Sequence, residues 1–214
     1  MINSSGISRY IKNTDEYLSI AGTSKGLYKE KGSKFIAYAY PVSSIEQIND
    51  ILTGLKKEYH DARHHCYAYV LGLDREEYRV YDNGEPVNTA GKPILNQINI
   101  RKLTNVIVVV IRYFGGIMLG KGGLIRAYKQ AADSALQNAS IVKIIQKEIY
   151  RLCFDLQRIN NVMKIIGESQ LEVISQKFEQ LSEIKISIRK NNVPDIINKL
   201  RMIDDIKIEY LGNE

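Results

Sequence analysis

Six consecutive β-branched residues, Val106-Ile-Val-Val-Val-Ile111, stand between the polar Asn105 and Arg112 and constrain the fold more than any other stretch. A run of this length without a polar interruption reads as a strand buried on both faces, so the chain has to supply a covering layer on each side. Beyond it Leu124, Ile125, Tyr128, Ala131, Ala132, Ala135 and Leu136 recur at threes and fours, the spacing of an amphipathic helix. Between strand and helix lie Gly115, Gly116, Gly120, Gly122 and Gly123. Glycine permits positive φ and close approach of a ligand to the backbone, and a helix start offers unpaired N–H donors with a partial positive charge. The stretch is therefore a candidate anion cradle.

Charge distribution points the same way. The net charge of +6 is uneven: residues 1–147 carry +7 and residues 148–214 carry −1. From Pro86 to Ala132 there is no acid and there are seven bases, Lys92, Arg101, Lys102, Arg112, Lys121, Arg126 and Lys129. An acid-free window around a glycine loop suggests a polyanionic partner, although a solvated basic face that binds nothing specific explains the same pattern. No apolar stretch reaches the roughly 20 residues of a membrane span, and the first residues lack the apolar region of a secretory signal. A cytoplasmic protein with no membrane partner is expected. Cys66 and Cys153 lie far apart, without metal or redox spacing, and read as reduced core thiols.

Earlier in the chain, residues 16–20 and 33–40 read as strands separated by a turn. A helix then runs to about Tyr59, capped by Ser43 or Ser44. All three histidines, His60, His64 and His65, fall within six residues at the start of the next strand, but no third ligand is evident and no metal is expected. A further strand at 77–81 leads into Asp82-Asn-Gly-Glu-Pro86, where Asn-Gly favours positive φ. Asp82 and Glu85, with His64, are weak candidates for acid/base chemistry. Thr89 is the expected N-cap of a short helix, which would place Lys92 at a second positive helix end. Cys66 has no base on its own face within easy reach, so a nucleophilic role is not expected.

Gly115 to Lys121 fits the first part of a P-loop, G-x-x-x-x-G-K, but Gly122 stands where a Ser or Thr would hold Mg²⁺. Nucleotide hydrolysis is not expected without that ligand. After residue 144 the order is strand (148–156), helix (160–169), strand (171–178), strand (183–189), helix (193–203), strand (206–211). This is the βαββαβ order of a ferredoxin-like sandwich. Two domains are expected, 1–142 and 143–214.

Ser33-Lys-Phe-Ile36, Asp61-Ala-Arg-His-His-Cys66, Asp82-Asn-Gly-Glu-Pro86, Thr89-Ala-Gly-Lys-Pro93, Arg112-Tyr-Phe-Gly-Gly116, Leu119-Gly-Lys-Gly-Gly-Leu124 and Ala127-Tyr128 together resemble, in order and spacing, the IMPACT/YigZ family. The resemblance covers about residues 15–137, with the elements after 145 similar to the second domain of bacterial members. It implies an α+β protein: an N-terminal domain built like domain IV of elongation factor G and related ribosomal-protein modules, then a ferredoxin-like domain resembling that factor's domain V. It also implies a link to translation, since eukaryotic relatives are translation regulators that compete for a ribosome-associated activator of a starvation kinase. Asn83 departs from a second acid found in many relatives, and Lys121 from a small or hydroxyl residue.

The expectation is a non-enzymatic regulator of translation without a cofactor, which binds RNA or the ribosome. Its contacts would be Lys92, Arg112, Lys121, Arg126 and Lys129, the amides of Gly115, Gly116, Gly120, Gly122 and Gly123, and stacking by Tyr113, Phe114 or Tyr128. An enzyme acting on a phosphorylated small molecule or nucleotide, using His64, Asp82 and Glu85, and a protein-interaction module are the alternatives.

Overall fold

A computed structural model describes residues 15–213, which fall into two compact units: residues 17–144, and residues 15–16 with 145–213. The first unit begins with β1 (Glu16–Ile20), β2 (Ser24–Glu30), β3 (Ser33–Pro41), α1 (Ile45–Glu58) and β4 (His64–Leu71). It continues through β5 (Glu77–Tyr81), α2 (Gly91–Ile100), β6 (Val106–Tyr113), α3 (Gly120–Gln137) and β7 (Ile141–Ile145). Five strands form one antiparallel sheet in the order β2-β3-β6-β4-β5, and β1 pairs with β7 apart from it.

The β-branched run of β6 is the centre of that sheet, buried throughout from Val106 to Arg112. Val106, Val108 and Val110 pack with α2 and α3 on one face, through Ile94, Ile98, Tyr128 and Ala131. Ile107, Val109 and Ile111 pack with Ile48 and Leu55 of α1 on the other. Each face has its helical cover, as a strand apolar on both sides requires.

Strand β2 occupies a segment whose lysines and glycine suggested a turn. Gly26 is there because α3 crosses β2 very closely: a Cβ at this position would lie 2.3 Å from the Ala135 nitrogen. The reading of Thr89 as a helix cap is also corrected. Its hydroxyl donates to the Pro86 carbonyl at 2.6 Å, and the N-cap position of α2 is Ala90. At α1, Ser44 is the cap, accepting from the Gln47 amide, while Gln47 returns a bond to the Ser43 amide.

The second unit contains β8 (Lys147–Asp155), α4 (Ile159–Glu168), β9 (Glu172–Lys177), β10 (Leu181–Arg189), α5 (Val193–Arg201) and β11 (Lys207–Asn213). Its sheet has the order β11-β8-β10-β9, antiparallel at each pairing. The two helices pack on one face through Val162, Ile166, Ile196 and Leu200 against Leu152, Phe154, Ile184 and Ile186. Asp15 belongs to this unit because Arg189 holds its buried carboxylate in a two-pronged bond of 2.7 and 2.8 Å. That bond keeps the Asp15 carboxyl below the usual carboxylate range.

Candidate nucleic-acid interface

Strand parity decides what Arg112 does. It shares a face with Val106, Val108 and Val110, so its side chain points under α3, in register between Phe35 of β3 and His64 of β4. A guanidinium in that position needs an acid, and Glu85 supplies one: Arg112 Nη1 donates to Glu85 Oε1 at 2.6 Å, with side chains only 7% and 4% exposed. Tyr128, fully buried on α3, donates to the same oxygen at 2.8 Å, and Cys66 Sγ lies 3.3 Å from the Tyr128 hydroxyl while donating to the Asp82 carbonyl at 2.9 Å. Burial pushes the Cys66 thiol up to about 12 and raises the Tyr128 phenol as well. Arg112 was expected at a phosphate and Tyr128 on a base; both are instead parts of the buried frame.

The acid/base candidates are also taken up in structure. Asp82 accepts three backbone bonds, from Asn88 at 2.8 Å on Oδ2 and from Ala90 and Gly91 at 2.9 and 2.8 Å on Oδ1. It caps α2 from outside the helix, and its negative charge already sits at the positive helix end beside Lys92. His64 Nδ1 donates to the Asn83 carbonyl at 2.8 Å, and the Asn83 side chain accepts from the His65 amide at 2.7 Å. Asn83 and Gly84 both have positive φ, the conformation an Asn-Gly turn favours. Among the described residues no cluster of three or more His, Cys, Asp or Glu is placed to hold a metal ion.

The glycine stretch divides into two parts. Gly115 serves the fold: a Cβ there would lie 1.9 Å from the Gly32 carbonyl carbon, and its amide donates to Ser33 Oγ at 3.1 Å. Gly120, Gly122 and Gly123 are not loop but the first turn of α3, and Gly123 is buried against Leu119. Gly116, Gly120 and Gly122 face open space. The α3 start has no side-chain cap and no acid in its first turn, so its first amides lack protein acceptors from those sources.

The seven bases of the acid-free window divide by residue type. Its arginines pair with acids outside it: Arg101 with Asp133, Arg112 with Glu85, Arg126 with Glu30. Lys92, Lys102, Lys121 and Lys129 are exposed and, among the described residues, pair with no acid. Three aromatics were expected to be available for stacking. Tyr113 is half-buried and donates to Asp61 at 2.7 Å, Tyr128 is in the core, and Phe114 is 53% exposed.

Comparison with known proteins completes the description. The Impact N-terminal domain matches residues 31–136. An "IMPACT family member" of Haemophilus influenzae is 31% identical over 172 residues, covering 79% of this chain and 84% of that protein. The chain belongs to the IMPACT family. "IMPACT family member YigZ" of Escherichia coli is 29% identical over 186 residues, 86% of this chain and 91% of that one. A crystal structure of a hypothetical protein matches with a TM-score of 0.67 at 26% identity, covering 92% of this chain and 98% of the other. In this IMPACT-family chain the matched segment holds the Glu85–Arg112–Tyr128 network, the α3 start and the exposed lysines Lys92, Lys102, Lys121 and Lys129.

A cleft between the Glu85 turn and the start of α3 was not foreseen. It has a volume of about 480 Å³, lined by Glu85, Pro86, Arg112, Phe114 and residues 118–121 with Leu124. Its walls are apolar, and the charged groups come from β6, the Asn-Gly turn and Lys121. The parity of β6 was the available signal for Arg112. Nothing in spacing marks Met118, 85% exposed, as part of a wall.

Proposed function

We infer that this protein regulates translation by binding RNA or the ribosome through the face that carries the α3 start. The carrying observation is the separation of the basic residues: three arginines neutralised by acids, of which only Arg112 is buried, and Lys92, Lys121 and Lys129 exposed without acidic partners among the described residues. Lys121 lies in the first turn of a helix that has no side-chain cap and no acid in that turn, where a phosphate would meet both the ammonium and the first amides. Family membership supports the same direction, because the family resemblance carries a role in translation for eukaryotic relatives. His64, Asp82 and Cys66 are committed to backbone bonds, which favours binding over acid/base chemistry.

The test is the affinity for a single-stranded RNA by fluorescence anisotropy across a salt series. Each lysine that meets a phosphate contributes about 0.7 to the slope of log K against log salt. Lys121→Ala and Lys129→Ala are each expected to lower that slope, whereas Arg126→Ala, which removes a residue paired with Glu30, is expected to change it less. RNA affinity that ignores salt and both lysine changes would overturn the site.

A further inference from the structure

The floor of the cleft holds groups that the protein itself does not satisfy. Arg112 is more than nine-tenths buried, and of its nitrogens only Nη1 has a partner among the described residues; Nε is sealed within the fold, which leaves Nη2 as the spare donor of a residue that lines the cleft. The guanidinium lies against two rings, 5.4 Å from the centroid of Phe35 and 5.6 Å from that of Phe114, which fixes its plane. Beside it, Glu85 receives both its bonds on Oε1, so Oε2 remains an acceptor in a residue that lines the cleft. Buried polar groups are ordinarily satisfied, and two paired residues that line a concave apolar site, one with a spare donor and one with a spare acceptor, suit a ligand that carries both.

The mouth adds an anion site. Lys121 and the α3 start, with Gly120, line the same cleft; the first turn of α3 has no capping side chain and no acid, and the cleft's Glu85 is already neutralised by Arg112. Between floor and mouth the walls are Pro86, Phe114, Met118, Leu119 and Leu124. A flat apolar body with a donor and an acceptor on one edge and an anion at the other end describes a nucleotide: the edge to Glu85 and Arg112, the ring on Phe114, the phosphate on Lys121 and the α3 amides. The volume of about 480 Å³ is ample for one such unit.

We propose that this cleft takes a single nucleoside 5′-monophosphate unit, offered either free or as the phosphorylated end of a single-stranded RNA. This rests on the reading of the α3 face as an RNA surface and names what that surface selects. Binding needs no covalent step, and the buried Glu85–Arg112 pair stays intact beneath the ligand.

The experiment uses the full chain, with the four nucleoside 5′-monophosphates and one short single-stranded RNA prepared with a 5′-phosphate and with a 5′-hydroxyl. Amide NMR shifts and anisotropy provide the readouts. Saturable shifts confined to Glu85 and residues 112–124, and about tenfold tighter binding of the 5′-phosphorylated RNA, are expected. Lys121→Ala should erase the preference for the 5′-phosphate, and Phe114→Ala, at an exposed residue that need not disturb folding, should weaken both RNAs. Salt-sensitive RNA binding with equal affinity for the two ends and no mononucleotide shifts would overturn the pocket while leaving the RNA surface standing. Mononucleotide shifts at these residues without RNA binding would support the pocket and overturn the RNA surface.

Discussion

Replacing Glu85 by Ala tests the frame on which the site is built. The substitution removes the one acid that pairs with Arg112 among the described residues and the acceptor of the Tyr128 hydroxyl, both buried under α3. Breaking a buried ion pair by deleting one partner costs about 3–5 kcal/mol, because the other charge remains buried. The lost acceptor for Tyr128 adds about 1 kcal/mol. The sum, about 4–6 kcal/mol, is comparable with the whole stability of a small domain. If the cost comes from the stranded charge, removing that charge must restore part of it: Glu85→Ala/Arg112→Met, with a flexible thioether between Phe35 and Phe114, should recover at least about 2 kcal/mol relative to the single change. The protein has no tryptophan, so urea unfolding is best followed by far-UV circular dichroism together with amide signals from β6. A single-variant loss below about 1 kcal/mol, or strictly additive effects of the two substitutions, would refute the buried-charge account.

Two other expectations concern pH and the remote helix cap. Burial lowers the folded pKa of His65, so its contribution is present above the ordinary imidazole value of 6.5 and is lost on acidification. Burial raises Cys66 from 9.0 to about 12, so its contribution is present below 9.0 and falls by about 1.4 kcal/mol per pH unit above it. Urea midpoints should therefore form a plateau between those limits, and a midpoint that rises above pH 9 would contradict the burial of Cys66. Asp82→Ala removes the acceptor of three backbone amides and should cost about 2 kcal/mol, with faster hydrogen exchange at Asn88, Ala90 and Gly91, while Asp82→Asn should cost less. Unchanged exchange at those amides would show that Asp82 does not hold the α2 start.

Much of the architecture was legible in local pattern. The β-branched run of β6 announced a central strand with helices on both faces, and period and turn chemistry located α1, α3, the Asn-Gly corner and the βαββαβ order of the second unit. What was hidden depended on contacts between distant segments. Strand β2 was obscured because Gly26, unfavourable in a strand by propensity, is required where α3 crosses. Thr89 looked like a cap by local rule, whereas Asp82, outside the helix, holds its amides. Arg112 looked like the polar end of an apolar run, and only its parity with Val110 showed that it faces inward towards Glu85, 27 residues away. The site followed the same logic: the lysines were visible as an acid-free window, but their separation from the paired arginines required knowledge of where Glu30, Glu85 and Asp133 lie.

The most direct measurement is co-sedimentation of the full chain with ribosomes across a salt series, with nuclease-treated ribosomes and the Lys121→Ala/Lys129→Ala variant alongside. The protein should pellet with ribosomes at low salt and be released progressively as salt rises, and the folded double-lysine variant should remain largely in the supernatant. A wild-type protein that stays in the supernatant at every salt concentration, or a variant that pellets as well as wild type, would contradict a phosphate-binding role for the α3 face.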